Sequence, residues 1–242
     1  ITLQIPPGLS ANGTIYQNAG RWFDGNLVRW FQGTMRPVGG WTSMSSTQFA
    51  DVSRGMLAYY DNSNARRVIV ATTSNLYVYA EGKNQSNITP SGIATGSVDA
   101  SANTGYGAQF YGEGTYGTPR ADNQTYSPCT TISVDNFGEN VVACFTGGGA
   151  DGKIYYWQND TATIAAVLTN APTSNKAVLV TDERYVMCLG AGGNARKVQW
   201  SNQSDPTVWT PSATNSAGSF ELASEGQIQA GVVIRGQILI LT

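Results

Sequence analysis

Apolar positions along this chain come in short runs of four to five residues, cut by turn residues and ending in aromatics. One group runs Arg67-Val68-Ile69-Val70-Ala71, breaks at Ser74-Asn75 and resumes as Leu76-Tyr77-Val78-Tyr79. A second runs Val141-Val142-Ala143-Cys144-Phe145, breaks through a glycine run and Asp151-Gly152, and resumes as Lys153-Ile154-Tyr155-Tyr156-Trp157. A third runs Tyr185-Val186-Met187-Cys188-Leu189, breaks at Gly190-Ala191-Gly192-Gly193-Asn194, and resumes as Lys197-Val198-Gln199-Trp200. A fourth pairs Gly231-Val232-Val233-Ile234 with Gln237-Ile238-Leu239-Ile240 across Arg235-Gly236. Runs this short, rich in β-branched and aromatic residues and bounded by Gly, Asn and Asp, predict β-strands joined by tight turns. No segment of helical length carries a 3.6-residue period, so helix is expected to be minor.

The groups recur. Cys144 and Cys188 stand 44 residues apart, and Tyr155 and Val198 stand 43 apart. A repeat of about 40–45 residues made of short strands predicts β-propeller blades. The expected fold is therefore all-β: propeller-like blades of short antiparallel strands behind an N-terminal arm, as part of a longer chain. Blades are expected over residues 55–90, 128–170 and 171–215, with a further one beginning at 218. The chain stops inside the strand pattern Ile238-Leu239-Ile240-Leu241, which suggests continuation or a pairing partner.

Two stretches fall outside this rhythm. Residues 1–54 form the arm, where Arg21-Trp22-Phe23-Asp24-Gly25-Asn26-Leu27-Val28-Arg29-Trp30-Phe31 predicts a strand pair turning at Asp24-Gly25-Asn26. Residues 91–127 are a Gly- and Tyr-rich insertion carrying Tyr106, Tyr111 and Tyr116. A loop that long inside a compact domain reads as an interaction element or a mobile surface loop. The arm concentrates Arg21, Trp22, Phe23, Arg29, Trp30 and Trp41. Arginine beside tryptophan is the anchor chemistry of interfaces. These residues and the three tyrosines are the interface candidates.

Composition narrows the chemistry. Of 242 residues only 12% are charged, and the formal net charge is -2. No basic patch of the kind that drives general duplex binding is visible. The three cysteines do not form a disulfide framework, and Cys144 and Cys188 lie in apolar runs where they read as small buried hydrophobes. No run of about 18 apolar residues is present, so no membrane span is expected. The first ten residues lack the pattern of a secretion signal, which points to synthesis in a cytoplasm.

The chain has no histidine. That removes histidine-based triads, dyads and metal sites. No phosphate-cradling or dinucleotide motif occurs, and Gly147-Gly148-Gly149 lies between strands as a turn. No catalytic, cofactor-binding or metal residues are assigned. A glycosidase would need two carboxylates about 5–10 Å apart. Asp135 and Asp182 occupy nearly equivalent places in the repeat, and Ser133-Val134-Asp135-Asn136-Phe137-Gly138 partly echoes a sialidase Asp box with its Gly one place late. Tyrosines in the insertion suit sugar stacking or interface anchoring equally.

The opening Ile5-Pro6-Pro7-Gly8, Asn12-Gly13-Thr14, Gly20-Arg21-Trp22-Phe23-Asp24, Leu27-Val28-Arg29-Trp30 and Arg36-Pro37-Val38-Gly39-Gly40-Trp41 resembles the start of tail-hub or nozzle proteins of short-tailed phages, the packaged-DNA stabilisation proteins. The stretch from Trp200 through Ser204-Asp205-Pro206-Thr207-Val208-Trp209 to Phe220-Glu221-Leu222 is similar too. The resemblance covers the arm and residues 196–242, while the middle shares only blade rhythm. It implies a virion structural protein assembled in the host cytoplasm, a homo-oligomeric and typically hexameric ring below the portal. Its partners would be the head-to-tail adaptor and other tail proteins. Packaged DNA would pass through without specific binding, retained until ejection. It implies no catalytic residues and no cofactor. The alternatives are a receptor- or carbohydrate-binding tail propeller and, third, a glycosidase.

Overall fold

A computed structural model describes residues 5–40, 42–43, 45, 47–80, 85–100 and 127–242. The chain divides into two compact units, Ile1–Ser46 and Thr47–Thr242.

Among its described residues the first unit carries one hairpin, β1 (Val28–Phe31) with β2 (Thr34–Pro37). The expected turn at Asp24-Gly25-Asn26 is not the hairpin turn. The chain reverses at Gln32 and Gly33, both at positive φ (50° and 75°). Two successive left-handed residues match the twist of a two-residue hairpin loop. Asp24 is instead used locally, its carboxylate accepting the Gly25 N–H at 2.7 Å. Leu9 and Trp22 form a parallel bridge, and the Ser10 N–H donates to the Trp22 carbonyl at 2.8 Å.

Among its described residues the second unit holds three four-stranded antiparallel sheets, each ordered as the chain runs, and one two-stranded sheet. The first sheet is β3 (Ser53–Tyr60), β4 (Arg66–Thr72), β5 (Leu76–Tyr79) and β6 (Gln85–Asn87). The second is β7 (Thr131–Phe137), β8 (Asn140–Thr146), β9 (Ile154–Trp157) and β10 (Ala166–Val167). The third is β11 (Ala177–Val180), β12 (Val186–Leu189), β13 (Lys197–Trp200) and β14 (Gly218–Glu221). The last is the hairpin of β15 (Ala230–Ile234) and β16 (Gln237–Leu241). The fold is all-β and blade-like, and the helix found among the described residues is a single 3-10 turn at Ala191–Gly193. One boundary differs from the sequence expectation. Gly218–Glu221 does not begin a new blade but closes the third, pairing Val198 with Phe220 and Trp200 with Gly218. The long polar loop before it hid that partnership, which no local pattern encodes.

The sheets stack face to face through three apolar layers. Between the first and second sheets lie Ile69, Leu76 and Val78 against Val141, Phe145, Tyr155 and Trp157, all buried. Between the second and third lie Val142, Cys144 and Ile154 against Val178, Val186 and Cys188, with Trp209 closing the layer. Between the third sheet and the hairpin lie Leu179, Leu189 and Val198 against Val233, Ile238 and Ile240. Covering both faces of the second sheet explains why β8 reads as a continuous apolar run, Val141 to Phe145, rather than an alternating one. Each fully buried side chain of this size contributes about 1.5–3 kcal/mol.

Cys144 and Cys188 are both buried in second strands, as expected, but they enter one shared layer from opposite sides. They are therefore not equivalent positions of the repeat. Because side chains alternate along a strand, a one-residue offset in alignment reverses the face. Tyr155 and Val198 are not equivalent either, since Tyr155 faces back toward the first sheet and Val198 forward toward the last hairpin.

Candidate functional site

The first strands of successive sheets lie side by side, β3 beside β7, β7 beside β11, and β11 beside β15. Together they line a cleft of about 680 Å³. Its apolar wall comes from Ile132, Val134, Leu179 and Val233. Gly231 permits the approach of β15, since a Cβ there would stand 2.6 Å from Leu189 Cδ1 and 2.9 Å from Leu179 Cδ2.

Polar groups in the cleft come mainly from β7 and the β11–β12 turn. The Ser133 hydroxyl accepts the Val178 N–H at 2.8 Å, and the Asp135 carboxylate accepts the Val180 N–H at 2.7 Å. These two N–H groups of β11 are turned from β12 toward β7, so Ser133 and Asp135 satisfy an edge that would otherwise be open. The other Asp135 oxygen accepts the Asn136 N–H at 2.9 Å. Burial pushes the Asp135 carboxyl above its ordinary value, against the downward pull of the two N–H donors. Asp182 also lines the cleft and is exposed. Arg184 lines it too, with its guanidinium 5.1 Å from the Phe137 ring centre. Asp135 and Asp182 both line this cleft. Asp135, however, has both oxygens engaged by backbone.

A second polar centre ties the outer ends of the first two sheets. Asp61 accepts the Ser63 and Ala65 N–H groups at 3.0 and 2.9 Å and pairs with Arg67 at 3.2 Å. The Asn159 amide reaches the same carboxylate at 3.4 Å from the second sheet. The Ala65 N–H, the largest of several hydrogen-bond contributions, holds the Asp61 carboxyl below its ordinary value. Nearby, the Tyr59 hydroxyl donates to the Glu139 carbonyl at 3.1 Å, and burial pushes that phenol up to about 12. This centre is structural: it fixes the β3–β4 turn, and the Asn159 amide and the Tyr59 hydroxyl tie it to the second sheet.

The interface candidates divide by unit. Arg21, Phe23 and Arg29 are exposed, and Trp22 and Trp30 are half-buried. Arg29 lies directly across the hairpin from Arg36, and Trp30 from Met35. Arg36 is drawn over the Phe31 ring at 5.2 Å. No described residue of this unit is buried, and Ile15, Tyr16 and Leu27 are largely exposed. Trp41, Tyr106, Tyr111 and Tyr116 lie outside the described residues, as does most of the insertion.

Sequence reasoning missed three contributors. Ser133 stood out only as the start of the partial Asp-box echo, and Arg184 carried no signal beyond being a polar residue near a turn. Phe49, from a stretch without strand pattern, covers the first sheet, packing on Tyr77 and Tyr79 at 5.3 and 6.0 Å between ring centres. Of the third-strand aromatics, Tyr155 and Trp157 pack between the first and second sheets, Trp157 with its indole N–H donating to the Asp160 and Thr163 carbonyls, and Trp200 is partly buried, whereas Tyr77 and Tyr79 pack under Phe49 and not between sheets. Among the described residues no three His, Cys, Asp or Glu side chains gather as metal ligands, and no helix is long and apolar enough to cross a membrane.

Comparison of the chain with protein-family models, curated proteins and solved structures finds no match.

Proposed function

We propose that the chain is a virion structural protein, a tail nozzle or hub subunit that assembles into a ring with copies of itself and with neighbouring tail proteins. The observation that carries this reading is the first unit. It presents Arg21, Phe23 and Arg29 to solvent, half-buries Trp22 and Trp30, and has no buried residue of its own among those described. A segment that rich in aromatics, with no core among its described residues, gains stability by packing on a partner. The blade stack of the second unit is a scaffold, and function on such scaffolds comes from grafted elements.

The cleft bears on the same question by its size. At about 680 Å³ it is of small-molecule scale. A duplex conduit would therefore be formed by the ring of subunits and not by this cleft. The sparse charge of the chain suits passage of DNA without tight holding. The chain acts without catalytic residues or a cofactor in this reading. Negative-stain imaging of particles labelled with antibody to this chain tests it. Label at the tail axis with rotational multiplicity is the expected result, and label absent from particles overturns the proposal.

One observation favours a second reading. Asp182 and Arg184 at a cleft of this volume are groups that orient a hydroxyl-rich ligand. A receptor- or carbohydrate-binding propeller would show saturable binding on a glycan array, lost in Asp182→Ala with Arg184→Ala. Cleavage of the glycan, abolished in Asp135→Asn or Asp182→Asn, would instead make it a glycosidase.

A further inference from the structure

The turn between β11 and β12 carries a residue that its backbone does not select. It is bonded like the turn between β3 and β4. The Thr181 and Asp61 N–H groups donate four residues on, to the Tyr185 and Ala65 carbonyls, each at 3.0 Å. Their side chains accept the returning N–H, Thr181 Oγ1 from Tyr185 at 3.2 Å and Asp61 Oδ1 from Ala65 at 2.9 Å. Both turns put their fourth residue in the left-handed region, Asn64 at φ 62° and Arg184 at φ 67°. Asparagine is favoured there and arginine is not. A side chain kept at a costly backbone position points to a use for that side chain.

Arg184 reaches from the third sheet to the second. Its guanidinium lies 5.1 Å from the Phe137 ring centre, and Nη2 lies 3.5 Å from where a Cβ on Gly138 would stand. Stacking on a ring holds a guanidinium without using its N–H donors. Among the described residues the group makes no ion pair and no side-chain hydrogen bond, unlike Arg67 with Asp61 and Arg196 with Glu221. Asp182, two residues before it on the same cleft of about 680 Å³, is exposed and likewise unbonded through its side chain among the described residues. Asp135 is the other charged residue of the lining, and both its oxygens are held by the Val180 and Asn136 N–H groups. The cleft therefore offers one held cation and one free carboxylate. The planar fork of arginine matches a carboxylate or a phosphate. One arginine beside two acids balances a monoanion better than a dianion, which favours the carboxylate. Asp182, when ionised, only accepts, so it suits hydroxyl donors. We infer that the cleft takes an acidic saccharide, its carboxylate seated on the Arg184 fork and its hydroxyls donating to Asp182. The two turns that build this site belong to the interior sheets of the stack. An acidic ligand presupposes that the cleft binds saccharides, the second reading given for the chain, and is independent of the virion reading.

The test is a saturation-transfer NMR titration of the 242-residue chain with glucuronate, galacturonate and N-acetylneuraminate. Each is run beside its methyl ester, which keeps the sugar and removes the charge. Saturable binding of at least one acid is expected, with its ester weaker by at least about tenfold, the worth of a charge-assisted hydrogen-bonded pair. Arg184→Asn should weaken the acid by a similar factor and keep the chain folded, since Asn64 serves the matching turn. Arg184→Lys, a point charge without the fork, should restore only part of the affinity. The esters leave the protein unaltered, so the result does not depend on either variant folding. Equal binding of acid and ester overturns the acidic ligand and leaves the saccharide cleft standing. Absence of binding by every acid and ester overturns both. Acid binding that survives Arg184→Asn places the site elsewhere and overturns the inference. So does displacement of the acid by an equimolar amount of inorganic phosphate, which would assign a general anion site.

Discussion

The Asp135 carboxylate on β7 accepts the Val180 N–H of β11 at 2.7 Å, so a side chain of one sheet completes the backbone bonding of the next. Ser133 does the same for Val178 one step along the strand pair. The two sheets are thereby held in register by bonds that neither sheet makes within itself.

Replacing Asp135 with Ala should leave the Val180 and Asn136 N–H groups without their acceptor. A buried donor left unpaired costs about 1–3 kcal/mol. Urea denaturation should show that loss, and Asp135→Asn, which keeps one acceptor oxygen, should lose less.

Two carboxylates should give opposite pH dependence. Asp135 has its folded pKa raised by burial, so the folded state holds the proton more tightly than the unfolded one. Its contribution to stability is present below the ordinary carboxylate pKa and is lost as pH rises through the raised value. Asp61 has its folded pKa lowered, by the Ala65 N–H first. Its contribution is present above the ordinary pKa and is lost as pH falls through the lowered value. Urea midpoints across the acid range should therefore lose their low-pH decline in part in Asp61→Asn. In Asp135→Asn they should lose the fall that accompanies ionisation.

Thiol chemistry should separate the three cysteines. Cys144 and Cys188 are buried, and burial pushes the Cys144 thiol up to about 12 and the Cys188 thiol upward as well. The thiolate is the reactive form. A native chain should react with an aromatic disulfide reagent at Cys129, which is partly exposed, and release all three thiols only in denaturant. Fast native reaction at more than one site would contradict the layer containing Cys144 and Cys188.

Two glycine substitutions should differ sharply. Gly152 has φ 64°, and a Cβ there would lie 2.5 Å from the Asn175 nitrogen. Gly236 has φ 74° with nothing within 4 Å. Gly236→Ala should cost only the left-handed backbone penalty, about 1–2 kcal/mol. Gly152→Ala adds a backbone clash and should lower the urea midpoint well beyond that.

Substituting Trp30 with Ala should change the urea midpoint of the isolated chain little, because Trp30 lies in a unit without a buried residue among those described. Under the proposed function the same change should sharply reduce incorporation into assembled particles, read by immunoblot of purified virions. Unchanged incorporation would remove Trp30 from the interface candidates.

Most strands were legible from the sequence because their causes are local. Turn residues fix where a run stops, as at Ser74-Asn75 and Arg235-Gly236, and β-branched and aromatic runs fill what lies between. Absence of histidine was legible outright, and with it the loss of a whole class of chemistry. Four matters were decided only by tertiary structure. The hairpin of the first unit turns at Gln32-Gly33 and not at Asp24-Gly25-Asn26, because the twist of the paired strands selects among several turn-compatible sites. Gly218–Glu221 joins the third sheet across a long loop. Cys188 faces Cys144 because strand faces alternate with every residue, and a repeat read to within a residue or two cannot say which face is which. Asp135 meets Val180 because two sheets stack, and stacking joins residues whose separation along the chain carries no local signal.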